Sequence, residues 1–206
     1  MRLPPLYFIP AALVAAGLLL SGCNDTSGTA AAPARPAAPD TVSLAAITAE
    51  AKGFSVGSPM SARTVYVFFD AQCPHCGALW EAAKPLKSQA RFVWIPVGLL
   101  NASSTAQGAT LLAAADPVAA MDAHETSLLA HQGGITAGTG LDAQRAAVAK
   151  NTELLNRFGF ASVPSIVGTH AQTGKLVTQE GAMPTAALAA LLGLQVPAGA
   201  AEAPKS

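Results

Sequence analysis

The stretch Phe68–Cys76, with the sequence FFDAQCPHC, joins an apolar run to a pair of closely spaced cysteines. The run itself is Thr64–Phe69 (TVYVFF), in which every residue is β-branched or aromatic. A run without polar alternation predicts a β-strand that is covered on both faces. A helical pattern begins at Cys73, and Pro74 then falls at the first helical position, where proline is well tolerated. The sequence therefore predicts a strand running directly into a helix, with a cysteine at the junction.

The two cysteines of this stretch are placed for thiol chemistry. Cys73 is predicted at or next to the N-cap of the helix, facing its free N–H groups and the positive end of its dipole. This position favours the thiolate, which is the reactive form of cysteine. Cys76 lies one helical turn further on, close enough to form a disulfide with Cys73. One exposed, activated cysteine and one partly buried cysteine are the arrangement that dithiol exchange requires.

Two polar side chains beside the cysteines are candidates for tuning them. His75 lies between the two cysteines, where an imidazole can give a hydrogen bond or a positive charge to the Cys73 thiolate. Stabilising the reduced form in this way makes a disulfide more oxidising. Asp70 lies three residues before Cys73 and is a candidate for assisting proton transfer at Cys76. The alternative for Asp70 is a solvated strand end without a chemical role.

Two other interpretations of the C-x-x-C pair remain open. A structural zinc site normally needs a second pair, and the remaining cysteine is Cys23. The histidines do not pair with one another at ligand spacing, and His124 and His131 are expected on a helix surface; the four are His75, His124, His131 and His170. The sequence therefore predicts neither a metal nor a cofactor. An inert structural disulfide is the other alternative, although it explains neither Pro74 nor the strand-to-helix context.

The first residues of the chain are typical of an exported lipoprotein. Met1–Gly22 is predicted to be a signal peptide, with Arg2 as its positive start and Leu6–Leu20 as its apolar segment. The following Leu-Ser-Gly-Cys resembles a bacterial lipoprotein processing box, so Cys23 is the predicted lipidation site and the first residue of the mature chain. The alternatives are an ordinary signal peptide or an uncleaved anchor. Acyl chains on Cys23 would hold the protein at a membrane surface.

Composition divides the rest of the chain into a linker, a domain and a tail. The chain has 206 residues, of which 51% are hydrophobic and 12% charged, with a formal net charge of zero. The chain has no basic run of the kind that would indicate a nucleic-acid partner. Residues 23–61 hold the lipidation site, an Ala/Pro-rich linker at Asn24–Asp40 and a short helix at Val42–Lys52. Residues 62–196 form the predicted catalytic domain, and residues 197–206 form a flexible tail.

Further elements follow the cysteine helix, which is expected to reach about Lys87. A strand is predicted at Arg91–Val97, and a helical insert follows at about 99–160, with Asp116 and Asp142 as helix caps. The insert helices are expected at Thr105–Ala115, at Pro117–Gln132 and from Asp142 to Phe158. After the insert come a strand at Ser165–Gly168, a return strand at Leu176–Glu180 and a last helix at Thr185–Leu192. Gly53, Gly57 and Pro59 are expected to break the chain before its first strand.

Several stretches of the chain together resemble one family, the periplasmic DsbG/DsbC-type thiol:disulfide interchange proteins. The matching stretches are FFDAQCPHC followed by Trp80, then Ala114–Met121 (AADPVAAM) leading to His124–Glu125, then Asn151–Leu155, Phe158–Gly159 and Val163–Pro164. The resemblance covers about Arg63 to Leu194. It implies an α/β, thioredoxin-like fold with an inserted helical subdomain, and a redox-active Cys73–Cys76 disulfide.

The same resemblance assigns roles to Val163 and Pro164. It implies that Pro164 is cis and lies against the Cys73–Cys76 pair, so that the Val163 backbone can pair with a substrate chain. Without the resemblance, a trans proline that merely opens a strand would be equally acceptable. The dipeptide Pro74–His75 is similar to that of the strong oxidant DsbA, and we therefore predict an oxidising couple with a lowered Cys73 pKa.

The chain differs from that family in one respect: little sequence precedes Arg63. The segment from Cys23 to Arg63 leaves no room for the N-terminal dimerisation domain of dimeric family members, so we expect a tethered monomer. Three functions remain possible: a lipid-anchored thiol:disulfide oxidoreductase, a metal-binding lipoprotein, or a non-catalytic binding module. The first is favoured. It implies exported proteins as substrates and a membrane redox partner of DsbB or DsbD type, on the periplasmic side of a bacterial membrane.

Overall fold

The computed structural model describes residues 38–198. The predicted signal peptide, the lipidation site at Cys23, nearly all of the linker and the end of the tail lie outside this range. The chain from Ala38 onward forms one compact unit. This compact unit includes residues 38–61, which precede the predicted catalytic domain at residues 62–196.

A five-stranded sheet forms the centre of the domain. Its strands are β1 (Phe54–Gly57), β2 (Thr64–Asp70), β3 (Arg91–Val97), β4 (Ser165–Thr169) and β5 (Leu176–Glu180), in the order β1-β3-β2-β4-β5. Strands β2 and β3 are parallel, and the other neighbours pair antiparallel. Proline interrupts a ladder on the side where its N–H is missing. Accordingly, Pro96 of β3 is paired on one side only. It pairs with β2, and the pairing of β3 with β1 ends before it.

Six helices surround the sheet in the described part of the chain. They are α1 (Leu44–Glu50), α2 (Pro74–Ala83), α3 (Ala102–Ala113), α4 (Pro117–Leu129), α5 (Asp142–Arg157) and α6 (Thr185–Leu192), and a 3-10 turn at Lys84–Leu86 follows α2. Helices α3, α4 and α5 are the insert between β3 and β4. They do not form a separate unit, because α3 and α5 pack against β3 and α4 packs against α2.

The central strand β2 is buried on both faces, as its uniform apolar composition predicts. Val65, Val67 and Phe69 face one core cluster, which includes residues of α2 and α6. Phe68 faces a second cluster, which joins Ile47 of α1 to residues of α5 such as Leu154 and Leu155. The helix predicted at residues 42–52 and strand β1 therefore contribute to the domain core.

Three local expectations from the sequence were wrong. Strand β1 was not predicted, because it has only four residues, follows Gly53 and ends at Gly57, yet Phe54 is 6% exposed and packs on Trp80. Helix α3 begins at Ala102 rather than Thr105, because Asn101 accepts the N–H of Ser103. Asp142 does not cap α5: the N-cap is Leu141, and Asp142 lies in the first turn.

Replacing Asp116 and replacing Asp142 are therefore expected to lower stability by different amounts. Asp116 accepts the N–H groups of Val118 and Ala119, at 3.1 and 3.0 Å, and so caps α4. We expect Asp116→Ala to lower the free energy of unfolding by about 1 kcal/mol through loss of this cap. Asp142→Ala loses only an interaction with the helix dipole, about 0.3 kcal/mol. Urea unfolding followed by circular dichroism measures both, and equal losses would contradict the cap assignment.

Candidate functional site

Cys73 is the N-cap residue of α2, and Pro74 occupies the first helical position, as predicted. The Cys73 side chain is less accessible than the sequence suggested, because Cys73 is only 5% exposed. Cys76 is fully buried. Both are free thiols in this structure. The Cys73 thiol lies 3.7 Å from the Val163 carbonyl oxygen, to which it can donate a weak hydrogen bond. The segment around Val163 therefore covers the reactive sulfur.

The two thiols differ strongly in acidity. The pKa of Cys73 is lowered to about 6, chiefly by the hydrogen bond from the Cys76 thiol. Burial opposes this shift, while the backbone N–H groups of Cys76 and His75 and the charge of His75 support it. Burial raises the pKa of Cys76 far above the ordinary thiol range, and the Cys73 thiolate raises it further. At neutral pH the pair therefore contains one thiolate and one thiol.

Asp70 is fully buried, so the alternative of a solvated strand end is wrong. Its carboxylate accepts three backbone N–H groups, at 2.8, 2.7 and 3.0 Å, from Gln72, Leu99 and Leu100. These donors compensate for the burial of a charged group. Asp70 thus fixes the turn before Cys73, and a role in proton transfer at Cys76 stays a prediction.

The residues directly before β4 lie next to the Cys73 thiol. The Val163–Pro164 peptide bond is cis, and Pro164 is buried while Val163 is half-buried. The carboxylate of Glu180 holds the residues just before it, because its Oε2 accepts the N–H of Ala161 at 2.9 Å and that of Ser162 at 2.7 Å. The cis-proline loop, defined here as residues 161–164, is therefore tied to the end of β5.

An open groove lies over the reactive sulfur. It has a volume of about 520 Å³. It is lined by Cys73, the exposed Pro74 and His75, residues 161–163 of the cis-proline loop, Leu99 and Leu100. The two leucines are 40% and 53% exposed, respectively. An accessible apolar surface of this kind, beside a reactive group, is typical of a site that receives a ligand.

His124 is fully buried and is not the surface histidine that the sequence suggested, whereas His131 is exposed. The Nδ1 atom of His124 accepts the N–H of Ile135 at 3.1 Å. Its Nε2 atom therefore carries the proton and donates to the Ala71 carbonyl oxygen. The neutral imidazole thus links the loop after α4 to the turn before Cys73. Gln107 supports this loop by donating to the carbonyl oxygens of Gly133 and Ile135, at 2.7 and 2.9 Å.

Sequence reasoning missed His124 and its neighbour Glu125 as parts of the site. Both are buried against α2 or the turn before it, on the same side of α4 as Met121. Their positions three and four residues after Met121 indicate one helix face. A polar pair on an otherwise apolar face was the available signal, but the partner of that face is set by tertiary packing.

Two further observations concern metals and membranes. Within residues 38–198, no group of three or more His, Cys, Asp and Glu side chains is arranged to hold a metal ion. None of the helices described here is both long and apolar enough to span a bilayer.

The sheet order, the cysteine pair at the start of α2 and the adjacent cis-proline loop together define a thioredoxin-fold protein. The chain belongs to the thioredoxin-like domain family, whose model matches residues 58–195. The predicted α/β, thioredoxin-like fold is therefore confirmed.

Known proteins similar to this chain include thiol:disulfide interchange proteins. The chain is 37% identical over 139 residues to the thiol:disulfide interchange protein DsbG of Pseudomonas aeruginosa. This alignment covers 64% of this chain and 51% of that protein. The chain thus spans about half the length of that relative, and the resemblance to DsbG-type proteins is confirmed.

Solved structures show the same fold at low sequence identity. The catalytic domain of Proteus mirabilis ScsC matches with a TM-score of 0.55 and 16% identity, over 72% of this chain and 96% of that domain. A periplasmic thioredoxin-like protein from Salmonella enterica serovar Typhimurium matches with a TM-score of 0.57 and 16% identity, over 75% of this chain and 97% of its own.

The buried imidazole predicts a pH-dependent stability. Burial lowers the pKa of His124, so the folded protein keeps a neutral ring where the unfolded chain already binds a proton. The contribution of His124 to stability is complete above about pH 6.5 and is lost as the pH falls below it. We expect His124→Gln to cost about 1 kcal/mol at pH 7.5 through weakened buried hydrogen bonds. It should also reduce the loss of stability between pH 7.5 and pH 5.5.

Urea unfolding at the two pH values measures both effects. His131→Gln is the matched control, because His131 is exposed, and it should follow the wild-type pH dependence. A pH dependence of His124→Gln equal to that of the wild type would contradict a buried, neutral His124.

Proposed function

We propose that this protein is a thiol:disulfide oxidoreductase that exchanges disulfides with exported proteins through Cys73 and Cys76. The observation that carries the proposal is the contrast in acidity within the pair. Cys73 has a pKa of about 6 at the opening of the groove, and Cys76 is a buried thiol one helical turn away. A nucleophilic thiolate next to a protected thiol is the arrangement that dithiol exchange requires. The similarity to DsbG supports the same chemistry.

The proposed reaction proceeds through a mixed disulfide at Cys73. In the reducing direction, the Cys73 thiolate attacks a substrate disulfide, and one substrate sulfur leaves as a thiolate. The Cys76 thiol then loses its proton and attacks the Cys73 sulfur, which releases the second substrate sulfur and forms the Cys73–Cys76 disulfide. Two electrons pass to the substrate. The oxidising direction is the reverse, with a substrate thiolate attacking the disulfide at Cys73.

The groove and the cis-proline loop are the proposed binding site for the substrate chain. An extended peptide can pair with the backbone of Val163 while its side chains contact Leu99 and Leu100. The half-buried position of Val163 directly beside the Cys73 sulfur supports this role. Pro164 is proposed to set the direction of the loop.

The charge of His75 leads us to expect an oxidising Cys73–Cys76 couple. It is exposed, and its charge is one of the causes that lower the pKa of Cys73. We expect a reduction potential nearer to about −120 mV, typical of DsbA, than to about −270 mV, typical of thioredoxin. His75→Ser keeps the backbone N–H but removes the charge. It should raise the pKa of Cys73 by about half a unit and make the couple roughly threefold more reducing.

Equilibration of the purified protein with glutathione buffers, followed by thiol labelling, measures this potential. Cys73→Ala is the control and should abolish the two-electron couple. If the wild-type protein formed no such couple, the proposed function would be wrong. An unchanged potential in His75→Ser would remove only the tuning role of His75.

The proposal also includes a lipid anchor at Cys23, because the sequence there resembles a lipoprotein processing box. The catalytic domain would then be held at the periplasmic side of a bacterial membrane, as a monomer, within reach of a membrane redox partner of DsbB or DsbD type. The periplasmic origin of the Salmonella relative of this fold is consistent with such a location.

Cys23→Ser tests the anchor. Two or more acyl chains give stable membrane attachment, so the substitution should move the protein from the membrane fraction to the soluble one. Mass spectrometry of the wild-type protein should show the acyl chains on Cys23. Cys73→Ser is the matched control, since it also removes one cysteine and should leave the protein in the membrane fraction. A wild-type protein without acyl groups would disprove the anchor.

A further inference from the structure

A carboxyl group from the helical insert lies against the cysteine helix. Glu125 is on α4 and is 4% exposed. It packs on Gly77, the residue after Cys76, so closely that a Cβ atom on Gly77 would overlap the carboxyl group. The absence of a side chain at Gly77 therefore creates the space in which the Glu125 carboxyl lies.

The Glu125 carboxyl has no hydrogen bond to any residue that the structure describes. The cation that acts on Glu125 is Lys84, but its ammonium group already contacts Glu81 at 2.6 Å and Asp122 at 2.7 Å. Asp122 in turn accepts the indole N–H of Trp80. The Glu125 oxygens are not among the enclosed polar atoms that lack a partner in the described residues, so they keep some contact with water. Holding a largely buried carboxylate without an ionic or hydrogen-bonding partner still costs free energy, so Glu125 does not stabilise this packing through its charge.

The charged groups around Glu125 all lie on the cysteine helix or directly after it. They are Cys73 at its start, Glu81 in its last part and Lys84 beyond its end. Burial, together with the charges of Cys73 and Glu81, raises the pKa of Glu125 to about 7, and the charge of Lys84 acts against this shift. Gly77, against which the carboxyl packs, lies one helical turn after Cys73, and its N–H donates to the Cys73 carbonyl oxygen at 3.4 Å. The ionisation of Glu125 therefore depends on whether Cys73 carries a charge.

We propose that Glu125 is a redox-linked proton site, which holds a proton while Cys73 is a thiolate and releases it when Cys73 and Cys76 form their disulfide. The proposal rests on the proposed dithiol function. The reduced protein contains the Cys73 thiolate, the Cys76 thiol and a protonated Glu125. Oxidation transfers two electrons to the substrate and joins the two sulfurs. The Cys76 proton and the Glu125 proton both leave, so two protons are released rather than one.

Glu125→Gln tests this proposal, because glutamine has the same shape and stays neutral at every pH. When Glu125 is ionised, its charge disfavours the Cys73 thiolate and makes the wild-type couple more reducing. At pH 8.5 we expect Glu125→Gln to be reduced by glutathione about tenfold more readily, which is about 30 mV for a two-electron couple. At pH 5 the carboxyl is protonated in both redox states, and the difference should fall below about twofold.

The measurement uses the purified full-length protein and glutathione buffers from pH 5 to pH 9, with thiol labelling to determine the reduced fraction. Glu153→Gln is the matched control, because Glu153 is an exposed carboxylate on another insert helix. It should follow the wild-type profile at every pH. Stability at pH 8.5 is a further readout. A carboxylate kept only for packing would leave the potential unchanged, and its replacement would change the unfolding midpoint alone.

A second measurement keeps this proposal separate from the proposed function. The rate at which iodoacetamide alkylates Cys73, followed against pH, reports the thiolate without requiring a disulfide. Glu125→Gln should lower the pKa obtained for Cys73. If no two-electron couple formed, the oxidoreductase function would be wrong, and an unchanged alkylation profile would then also overturn the role of Glu125. A normal couple with the same pH profile in Glu125→Gln and wild type would overturn the role of Glu125 alone.

Discussion

The buried carboxylate of Asp70 holds together the segments that meet around the reactive cysteine. It lies at the end of the central strand and accepts N–H groups from the turn before Cys73 and from the start of the loop after β3. A buried charge of this kind is stable only when its donors are in place. The same contacts therefore fix the backbone before Cys73 and place Leu99 and Leu100 at the edge of the groove.

Helix α4 supports the cysteine helix with two adjacent residues that differ in their hydrogen bonding. His124 has satisfied hydrogen bonds on both ring nitrogens and connects Ala71 to the loop at Ile135. Glu125, next in sequence, fills the space beside Gly77 without a hydrogen-bonding partner in the described residues. The first residue serves to hold the backbone in one geometry, whereas the second keeps a group that can gain or lose a proton near the thiols. The insert is thus part of the site, because its helix α4 adds two buried polar groups to the one that Asp70 supplies from the sheet.

The parts of the structure predicted well from sequence are those determined by local patterns. The apolar run of β2, the proline after Cys73 and the cap at Asp116 each have a physical cause within a few residues. Strand β1 was missed because four residues, of which the last is a glycine, carry almost no periodicity, and pairing with β3 is what defines the strand. The burial of His124 and Glu125 could not be predicted either. It depends on the docking of α4 against α2, which joins residues about fifty positions apart.

The resemblance to DsbG-type proteins supplied what local patterns could not, namely the expected position of the cis-proline loop beside the thiols. It did not supply the extent of the domain. The compact unit includes α1, whose Ile47 is buried in the second core cluster. The sequence predicted a short helix at Val42–Lys52, but a pattern of this length does not show that the helix packs against α5 and the sheet.

In the two proposals, the acidity of Cys73 is influenced from two sides that differ in their exposure to water. His75 lies in solvent, where a charge is screened by the high dielectric constant and by salt. Glu125 lies in the protein interior, where a charge acts more strongly on its neighbours. A positive charge on the outer side and a titratable negative charge on the inner side act on the same sulfur in opposite directions. In the proposed mechanism the exposed side chain shifts the couple moderately toward oxidation, and the buried side chain determines how strongly that shift depends on pH. The two influences can therefore be altered independently, because one residue is changed without touching the core and the other without touching the groove.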